Sequence, residues 1–527
     1  MLTFTCECIF TLKLLSLFQQ SKADGVIMGG EVKEYFRLGE GPALEVVEKL
    51  PTPEEVFKVP KLSGWKLFTT ILGPSFMALG GALGSGEWIM GPSIAARYGL
   101  YLFWLVWVGV VLQTVYNIAF ARITALIGEP ALVYMARSKP RRFWIPFLAF
   151  VLFAASAWPG WASGAATALA VFILGRLPGT GDIQLVTILG AVLFLVCVLV
   201  VSVGGKIAST LEAVFRFKVL VVTFVVFILS LVVSRPEIWT ELAVGYVSIG
   251  YMPKGIDVYL LGGWWGYIGW ASAINYLLTN YYRDKGYGMG YLVGYIPAMI
   301  GGKKIELSAV GKIFKLTPEN LATWKRWEKL IIYDQWLIYA TFAVVGMTLP
   351  SVMVRSVVPL GTTLPAWAIA AHTANQFGAM WGPVGFYLIS FIGLITLWGT
   401  QLQWVDMLTR NMTDLLWSTS EGVRKWAKGD VRRVYYTFLA IYVAFAIYVF
   451  GAYIATGTTP LIILLLSANI ANFGGFFAWY LLWDIERKLP KELRLRWYYW
   501  PPIILFCVMC CFFFIVMVLG QLGIKVL

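Results

Sequence analysis

Charge and histidine are both scarce in this sequence. Only 13% of its 527 residues are charged, one residue is a histidine (His372), and 59% are hydrophobic. A soluble globular chain has about 25% charged and roughly 45–50% apolar residues. The imbalance excludes an ordinary soluble enzyme and a disordered chain, and it indicates an integral membrane protein. The lone histidine excludes a histidine-rich metal site, and its position between apolar runs predicts a solvated residue in an outer loop.

Cysteines and catalytic motifs are also sparse. Cys6 and Cys8 form an isolated pair, and the other four of the six cysteines lie in apolar runs without zinc or redox spacing. We therefore infer no disulfide framework and no resident cofactor. The chain has no nucleophile elbow or cluster of catalytic side chains, and the glycine-rich loop at 175–182 lacks Walker spacing. The sequence thus predicts neither an enzyme nor a primary pump.

What the sequence does contain is eleven long apolar runs. A helix needs about 20 apolar residues to cross a bilayer. These runs are continuously apolar rather than alternating, which predicts helices and not barrel strands. The fold class is therefore all-α integral membrane with 11 transmembrane helices. The runs lie at 66–97, 99–127, 143–174, 184–204, 207–234, 263–282, 331–357, 383–408, 432–455, 458–483 and 497–522.

The distribution of charge predicts the orientation. The net charge is +14, and the loops on the side of the N-terminus hold about 25 lysines and arginines, against about 6 in the other loops and at the C-terminus. We expect a cytoplasmic N-terminus and a C-terminus outside, with membrane lipid around the spans and no nucleic-acid partner. Residues 1–62 are interpreted as a cytosolic tail, of which 1–27 form an upstream extension, before a transmembrane domain at 63–527. The sequence leaves the oligomeric state open.

Two of the spans carry dense glycine clusters. Span 1 contains Gly80, Gly81, Gly84 and Gly86, and span 6 has four glycines between 262 and 269. Glycine costs about 1 kcal/mol relative to alanine inside a helix, so such clusters predict unwound segments. Discontinuous helices at corresponding positions are typical of inverted-repeat transporters, whose substrate site lies between them. Close helix packing is the alternative explanation for the glycines.

Four short motifs recur in the order and spacing of a known family. They are Gly73-Pro74-x-Phe76 with Gly84-Ser85-Gly86-Glu87, Arg122 with Gly128-Glu129, Leu211-Glu212, and Leu465-Leu466-Ser467. Together they resemble the natural resistance-associated macrophage protein (Nramp) family of divalent-metal transporters. The resemblance implies the leucine-transporter-type fold, with a first repeat at 63–234, a second at 263–483, discontinuous helices 1 and 6, and an extra helix at 497–522. It also implies alternating access by rocking of spans 1, 2, 6 and 7.

The departures from the family pattern concern the metal ligands. The family's metal-binding Asp falls on Gly84, its Asn falls on Glu87, and its Met-Pro-His falls at about 272–274. The acidic residues of the family's span 3 and the basic residues of its span 9 also lack counterparts here. Soft thioether and imidazole ligands select transition metals. Their absence argues against manganese or iron selectivity and indicates a divergent, Nramp-related branch.

Glu87 is the residue on which the functional prediction depends. A carboxylate inside a span is a functional hypothesis by default, and a carboxylate with carbonyl, hydroxyl and amide oxygens is a hard-cation site. We therefore expect an inorganic cation held by Glu87, Gly84, Asn275 and Thr279 within a substrate site that also includes Ser85, Gly86, Ser272 and Gln401. The alternative is an amino acid or another small organic solute, whose carboxylate binds the exposed N–H groups at 84–86. Stabilisation of half-helix 1b by Glu87 is compatible with both.

Three further polar features have weaker interpretations. Glu212, Arg216 and Lys218 enter span 5 together and are predicted to form a cytoplasmic gate or ion-pair network. Asp334 lies near the inner end of span 7, where we expect it to pair with a loop lysine or arginine. Gln401 belongs to a polar run in span 8 and either lines the cavity or bonds between helices.

Overall fold

We analysed a computed structural model, which describes residues 34–59, 64, 67–203, 207–302 and 305–524. The predicted upstream extension at 1–27, the pair Cys6 and Cys8, and most of the predicted N-terminal tail lie outside these residues. The division into tail, repeats and extra helix therefore stays a prediction, whereas the helices themselves can be compared with the predicted spans.

Among the described residues, nine helices are long and apolar enough to cross a membrane. They correspond to predicted spans 2–5 and 7–11, which confirms the fold class of a multi-pass helical membrane protein. Span 7 begins at Pro318 and span 8 ends at Thr419, well outside the apolar runs, because amphipathic turns continue each helix beyond its apolar part. The nine helices are Tyr101–Ile127, Arg141–Leu174, Thr180–Ser202, Ile207–Val233, Pro318–Val357, Ala366–Thr419, Val431–Thr456, Pro460–Glu486 and Trp497–Gln521.

The remaining two predicted spans, 1 and 6, are both discontinuous. Span 1 consists of helix 1a (Pro74–Ala82) and helix 1b, whose first turn Gly86–Met90 is π-helical and continues as Gly91–Tyr98. Span 6 consists of helix 6a (Val258–Tyr267) and helix 6b, a 3₁₀ segment followed by Thr279–Lys285. Each half is too short to cross a bilayer alone. The two broken spans with the nine continuous ones are consistent with eleven crossings.

Other helical segments modify the spans or lie between them. Span 3 is divided at 157–159, and span 10 contains a 3₁₀ turn. The subdivisions and the shorter helices are Pro53–Phe57, Leu67–Ile71, Ala131–Met135, Arg141–Ser156, Gly160–Leu174, Pro236–Val247, Gly290–Val293, Glu421–Trp426, Pro460–Asn472, Phe473–Phe476, Ala478–Glu486 and Lys491–Leu493.

A small sheet outside the spans joins the N-terminal segment to the loop before span 7. Strands β1 (Tyr35–Phe36) and β2 (Leu44–Val47) are antiparallel, and β2 pairs in parallel with β3 (Lys312–Phe314). Side chains add to this contact, since the indole of Trp327 donates to the carbonyl of Pro51 at 2.8 Å. The sequence analysis did not predict this sheet, because its strands are too short to show an alternating pattern.

Asp334 of span 7 caps helix 1a. Its carboxylate accepts from the backbone N–H of Gly73 at 2.9 Å, from the N–H and hydroxyl of Ser75 at 3.0 and 2.7 Å, and from the hydroxyl of Tyr282 at 2.6 Å. The first N–H groups of a helix lack intrahelical partners, and a carboxylate satisfies them well. The prediction that Asp334 pairs with a loop lysine or arginine was therefore wrong.

A buried ion network ties helix 6b to span 8. Arg410 is fully buried and pairs with Asp284 and, at 2.8 Å, with Asp406. Arg283 pairs with Asp414 at 2.5 Å. Each aspartate of the network is paired with at least one arginine, as is usual for charged side chains inside a membrane protein. Removing one partner of a buried pair costs about 3–5 kcal/mol, because the other charge is left without compensation.

We expect Arg410→Gln to destabilise the protein strongly, because Asp284 and Asp406 would lose their shared counter-ion. The matched control is Arg176→Gln, which removes the ion pair of Arg176 with Asp182. The side chain of Arg176 is 59% exposed, and the loss of such a surface pair costs at most about 1 kcal/mol. Thermal unfolding in detergent, followed by tryptophan fluorescence, measures both. Equal unfolding midpoints for the two variants would contradict the role of Arg410 as the counter-ion of Asp284 and Asp406.

Candidate binding site at the two broken helices

The interruptions of spans 1 and 6 lie against each other. A Cβ atom on Gly86 would lie 2.5 Å from the carbonyl oxygen of Tyr267. Real Cβ atoms do not approach a backbone atom so closely, so only glycine permits this contact. Gly86 therefore packs against the other broken span, whereas Gly81 and Gly84 pack against Gln403 and Thr400 of span 8.

In span 1 the series of helical backbone hydrogen bonds is interrupted between helices 1a and 1b. The last bond of helix 1a runs from Leu83 N–H to the Leu79 carbonyl, and the ladder resumes with Trp88 N–H and the Gly84 carbonyl. Between them, the N–H of Gly84 donates at 3.3 Å to Oε2 of Glu87. Glu87 is 1% exposed. One oxygen of its carboxylate thus accepts from a backbone N–H group that the interruption leaves without a helical partner.

In span 6 the interruption is held by neighbouring side chains. Gln113 of span 2 donates to the carbonyl of Ile268 at 2.6 Å, and Asn275 accepts from the N–H of Ala271 at 2.7 Å. The amide nitrogen of Asn275 donates to Gln113 at 2.8 Å and to the hydroxyl of Tyr339 at 3.1 Å. Asn275 therefore stabilises the turn itself, and its amide oxygen already has one donor.

The place where the interruptions of spans 1 and 6 meet is called the junction below. Several polar atoms buried around it have no hydrogen-bond partner. They are Oε1 of Glu87, both amide atoms of Gln403, and the indole nitrogen of Trp270. A buried polar atom without a partner costs about 1–3 kcal/mol, so water or a ligand is expected beside each. Gln403 and Trp270 lie together beside Gly81, where they offer an acceptor and donors, whereas the side chain of Glu87 lies beside Gly346 of span 7.

Stacked tryptophans form one side of this region. The rings of Trp161 and Trp404 are stacked with centroids 5.4 Å apart, and Trp270 stacks on Trp404 at 5.8 Å. The indole of Trp161 donates to the hydroxyl of Ser85 at 3.1 Å, which anchors the stack to the interruption of span 1. Tryptophan faces attract cations, so the wall is chemically suited to a positively charged ligand.

The predicted site residues divide into two groups in the structure. Gly84, Ser85, Gly86, Glu87 and Asn275 all lie at the two interruptions, and Gly84 packs against Thr400 of span 8. The other three hold helices together. Ser272 donates to Asn472 at 2.6 Å, Thr279 donates to the Tyr276 carbonyl and accepts from Ala131 N–H, and Gln401 accepts from Ala162 N–H at 3.1 Å. Their role in binding stays a prediction.

Sequence reasoning passed over Gln403, which lies at the junction two residues after Gln401. The signal was present, because Thr396, Thr400 and Gln403 follow one another at helical spacing and share the face of span 8 that meets span 1. Trp270 was assigned to no site because tryptophans are expected at the membrane interfaces.

Two further predictions were wrong in whole or in part. His372 is buried rather than solvated, since its ring packs on Trp88 and its Nδ1 lies 2.5 Å from the carbonyl oxygen of Ile369. Glu212 does form an ion-pair network with Arg216 at 2.5 Å and Lys285 at 2.6 Å. Lys218 is not part of that network, because it lies nearly two helical turns deeper in span 5.

A cavity of about 380 Å³ lies between helix 1a, helix 6b and span 5. Met77 and Pro74 of helix 1a line it on one side, and Glu212 and Arg216 of span 5 line it on the other, with Lys285 of helix 6b. The ion pairs of Glu212 thus border the cavity, and a gating role for them stays a prediction.

Within the described ranges, there is no group of three or more His, Cys, Asp or Glu side chains that could hold a metal ion. A metal ion bound by Glu87 would therefore rely largely on backbone, amide and water oxygens for its other ligands.

Comparison with known proteins identifies the fold. No family model matches the chain, and no curated protein matches it either. Among solved structures, a mutant of the Eremococcus coleocola manganese transporter superposes with a TM-score of 0.58 at 13% identity, covering 91% of each chain. The same transporter in complex with an aromatic bis-isothiourea substituted compound gives a TM-score of 0.57 at 12% identity, covering 90% of this chain and 92% of that one.

The likeness covers nearly the whole length of both chains. The two discontinuous helices fall at the first and sixth spans, as the resemblance of individual motifs predicted. The chain therefore has the predicted leucine-transporter-type fold, which it shares with the manganese transporter.

Proposed function

We propose that this protein is a secondary active transporter of a small cation, which Glu87 binds at the junction of the two broken helices. The observation that carries the proposal is the unpartnered Oε1 of a carboxylate that is otherwise fully buried. A buried carboxylate is tolerated in a membrane when a counter-charge is available. A transported cation supplies that charge at the place where both interruptions meet.

Hydrogen bonds between the spans support alternating access by a rocking bundle. Asp334 joins span 7 to helix 1a and to helix 6b. Gln113 joins span 2 to span 6, and Asn117 of span 2 donates to Gln335 of span 7 at 3.0 Å. Spans 1, 2, 6 and 7 are therefore linked as one unit, which is the bundle that the Nramp resemblance implies should move.

The first candidate substrate is an inorganic divalent or trivalent metal cation. The similar solved structures are those of a manganese transporter, whereas this junction lacks thioether and imidazole ligands. One carboxylate with amide and carbonyl oxygens is a hard donor set. The unpartnered donors of Gln403 and Trp270 would then bind the water that the ion retains, as is usual for Mg²⁺.

The second candidate is a small organic solute with a protonated amine. The mixture of unpartnered donors and acceptors favours it, because a bare metal ion cannot accept a hydrogen bond from the Trp270 indole or the Gln403 amide. The tryptophan stack favours it as well, since aromatic faces bind alkylammonium groups. Glu87 would pair with the amine in this case.

Ligand-induced stabilisation of the purified protein separates the candidates. Selective binding of a ligand to the native state raises the unfolding midpoint. We expect Mg²⁺, Ca²⁺, Mn²⁺ or Al³⁺ to raise it if the first candidate is right, and amino acids or simple amines to raise it if the second is. A larger effect of Mn²⁺ than of Mg²⁺ and Ca²⁺ would contradict the argument from hard ligands.

Glu87→Gln is expected to abolish substrate-dependent stabilisation and uptake into proteoliposomes while the protein stays folded. The amide keeps the size of the side chain but removes its charge, so the cation loses its counter-ion. Glu237→Gln, an identical change at an exposed position outside the junction, is the control and should leave uptake unchanged. Normal uptake by Glu87→Gln would refute the assigned role.

The neighbouring glutamines of span 8 provide a second test. Gln403→Leu removes an amide whose two polar atoms have no protein partner, so we expect little loss of stability and a roughly tenfold rise in KM, the equivalent of one hydrogen bond. Gln401→Leu leaves the N–H of Ala162 without its acceptor, so we expect a lower unfolding midpoint. The reverse assignment of effects would place Gln401, and not Gln403, in the site.

A further inference from the structure

Lys218 is a buried cation that the binding site does not use. It lies on span 5, is 4% exposed, and donates from Nζ to the carbonyl of Gly80 in helix 1a and to that of Thr396 in span 8, both at 2.7 Å. No carboxylate of the described residues lies within ion-pair distance of it. The side chain therefore connects helix 1a to span 8 through its ammonium group.

The surroundings of Lys218 are built to accommodate this group. Gly399 leaves space for the side chain, because a Cβ there would lie 2.7 Å from Nζ. An ammonium group at membrane depth costs about 2.5–3.5 kcal/mol on insertion scales. A leucine at this position would avoid that cost and fill the same space, so packing does not explain a lysine. Its charge is the property that requires an explanation.

Few other charges act on the ammonium group. Near Lys218, helix 1a and span 7 present no ionisable side chain, and span 4 presents only the thiol of Cys197. The charges of span 8 are paired with each other in Arg410 and Asp406. On span 5 and helix 6b, Arg216 and Lys285 share Glu212. The charge that remains is Glu87, which interacts electrostatically with Lys218 from beyond ion-pair distance.

A cavity lies close by. Met77 and Arg216, which line the cavity between helix 1a, helix 6b and span 5, are within one turn of Gly80 and Lys218 on their own helices. The cavity therefore adjoins the turn of span 5 that carries Lys218, and a movement of helix 1a is the step that would open Nζ to its water.

We propose that Lys218 is the proton-binding site that couples transport to a proton gradient. The protonated amine holds helix 1a against span 8 through two charge-assisted hydrogen bonds. When Nζ loses its proton to water in the cavity, the neutral amine bonds the two carbonyls more weakly, because hydrogen bonds from charged donors are about twice as strong. Helix 1a is then released. The inference rests on the proposed transport function only for its coupling role, since the release of helix 1a can be measured alone.

The first experiment measures the accessibility of helix 1a. Met77→Cys, which lines the cavity, is labelled with a maleimide between pH 5 and 9 in a full-length background without native cysteines. Thr180→Cys, at the exposed first residue of span 4, corrects for the intrinsic reactivity of a thiol. We expect the corrected rate to rise about tenfold with pH, which is the consequence of losing the charge from two hydrogen bonds.

Two variants at position 218 test the origin of this rise. Lys218→Arg, which keeps its charge at every pH used, should keep the corrected rate low, and Lys218→Met should remove its pH dependence. An unchanged pH dependence in both variants would overturn the proposal. If the cysteine-free background does not fold, hydrogen exchange of the 74–82 peptide in the native-cysteine protein gives the same comparison.

The second experiment keeps the failure of coupling distinct from the failure of transport. Proteoliposomes loaded with a pH-sensitive dye receive Mn²⁺ or, in a parallel series, L-alanine, and both substrate and proton fluxes are recorded. We expect substrate flux with proton flux in the unmodified protein, and no proton flux in Lys218→Arg. Substrate flux driven by sodium without proton movement would overturn the coupling role but leave transport intact. The absence of any substrate flux would refute the proposed function, and the labelling result would still decide whether Lys218 controls helix 1a.

Discussion

The structure depends on one constraint, which is that every backbone polar group inside a bilayer must be satisfied within the protein. Two helices are interrupted at membrane depth, so other parts of the chain must bond the groups that the interruptions release. Glu87 does this for Gly84, Gln113 and Asn275 do it for span 6, and Asp334 does it for the beginning of helix 1a. Two of these four side chains, Gln113 and Asp334, come from other spans, so the interruptions and the tertiary fold stabilise each other.

The polar side chains of the spans fall into groups with different tasks. One group satisfies the interruptions and links spans 1, 2, 6 and 7. The ion network of Arg410 and Arg283 ties helix 6b to span 8, and Lys218 ties helix 1a to the same span. At the two interruptions, Glu87, Gln403 and Trp270 retain polar atoms that have no protein partner. The candidate site is therefore defined by missing partners at the interruptions rather than by residue type.

Several differences between expectation and structure have the same origin. Gln401 and Gln403 have identical side chains two residues apart, and one bonds between helices while the other faces the junction. His372 was expected in solvent because it lies between two predicted spans, but the 3₁₀ turn at 366–371 precedes it and its side chain is buried. For the two glutamines and for His372, the sequence indicated the polar character of the side chain but not the direction in which it points.

Composition, apolar length and glycine density by themselves determined that this is a multi-pass helical membrane protein with interruptions in spans 1 and 6, because hydrophobic thickness and helix propensity act locally along the chain. Only the tertiary structure decided which polar groups are used up in holding the fold and which remain unpaired. That distinction depends on contacts between residues far apart in sequence, such as Asp334 with Gly73 and Lys218 with Thr396, and no local pattern encodes it.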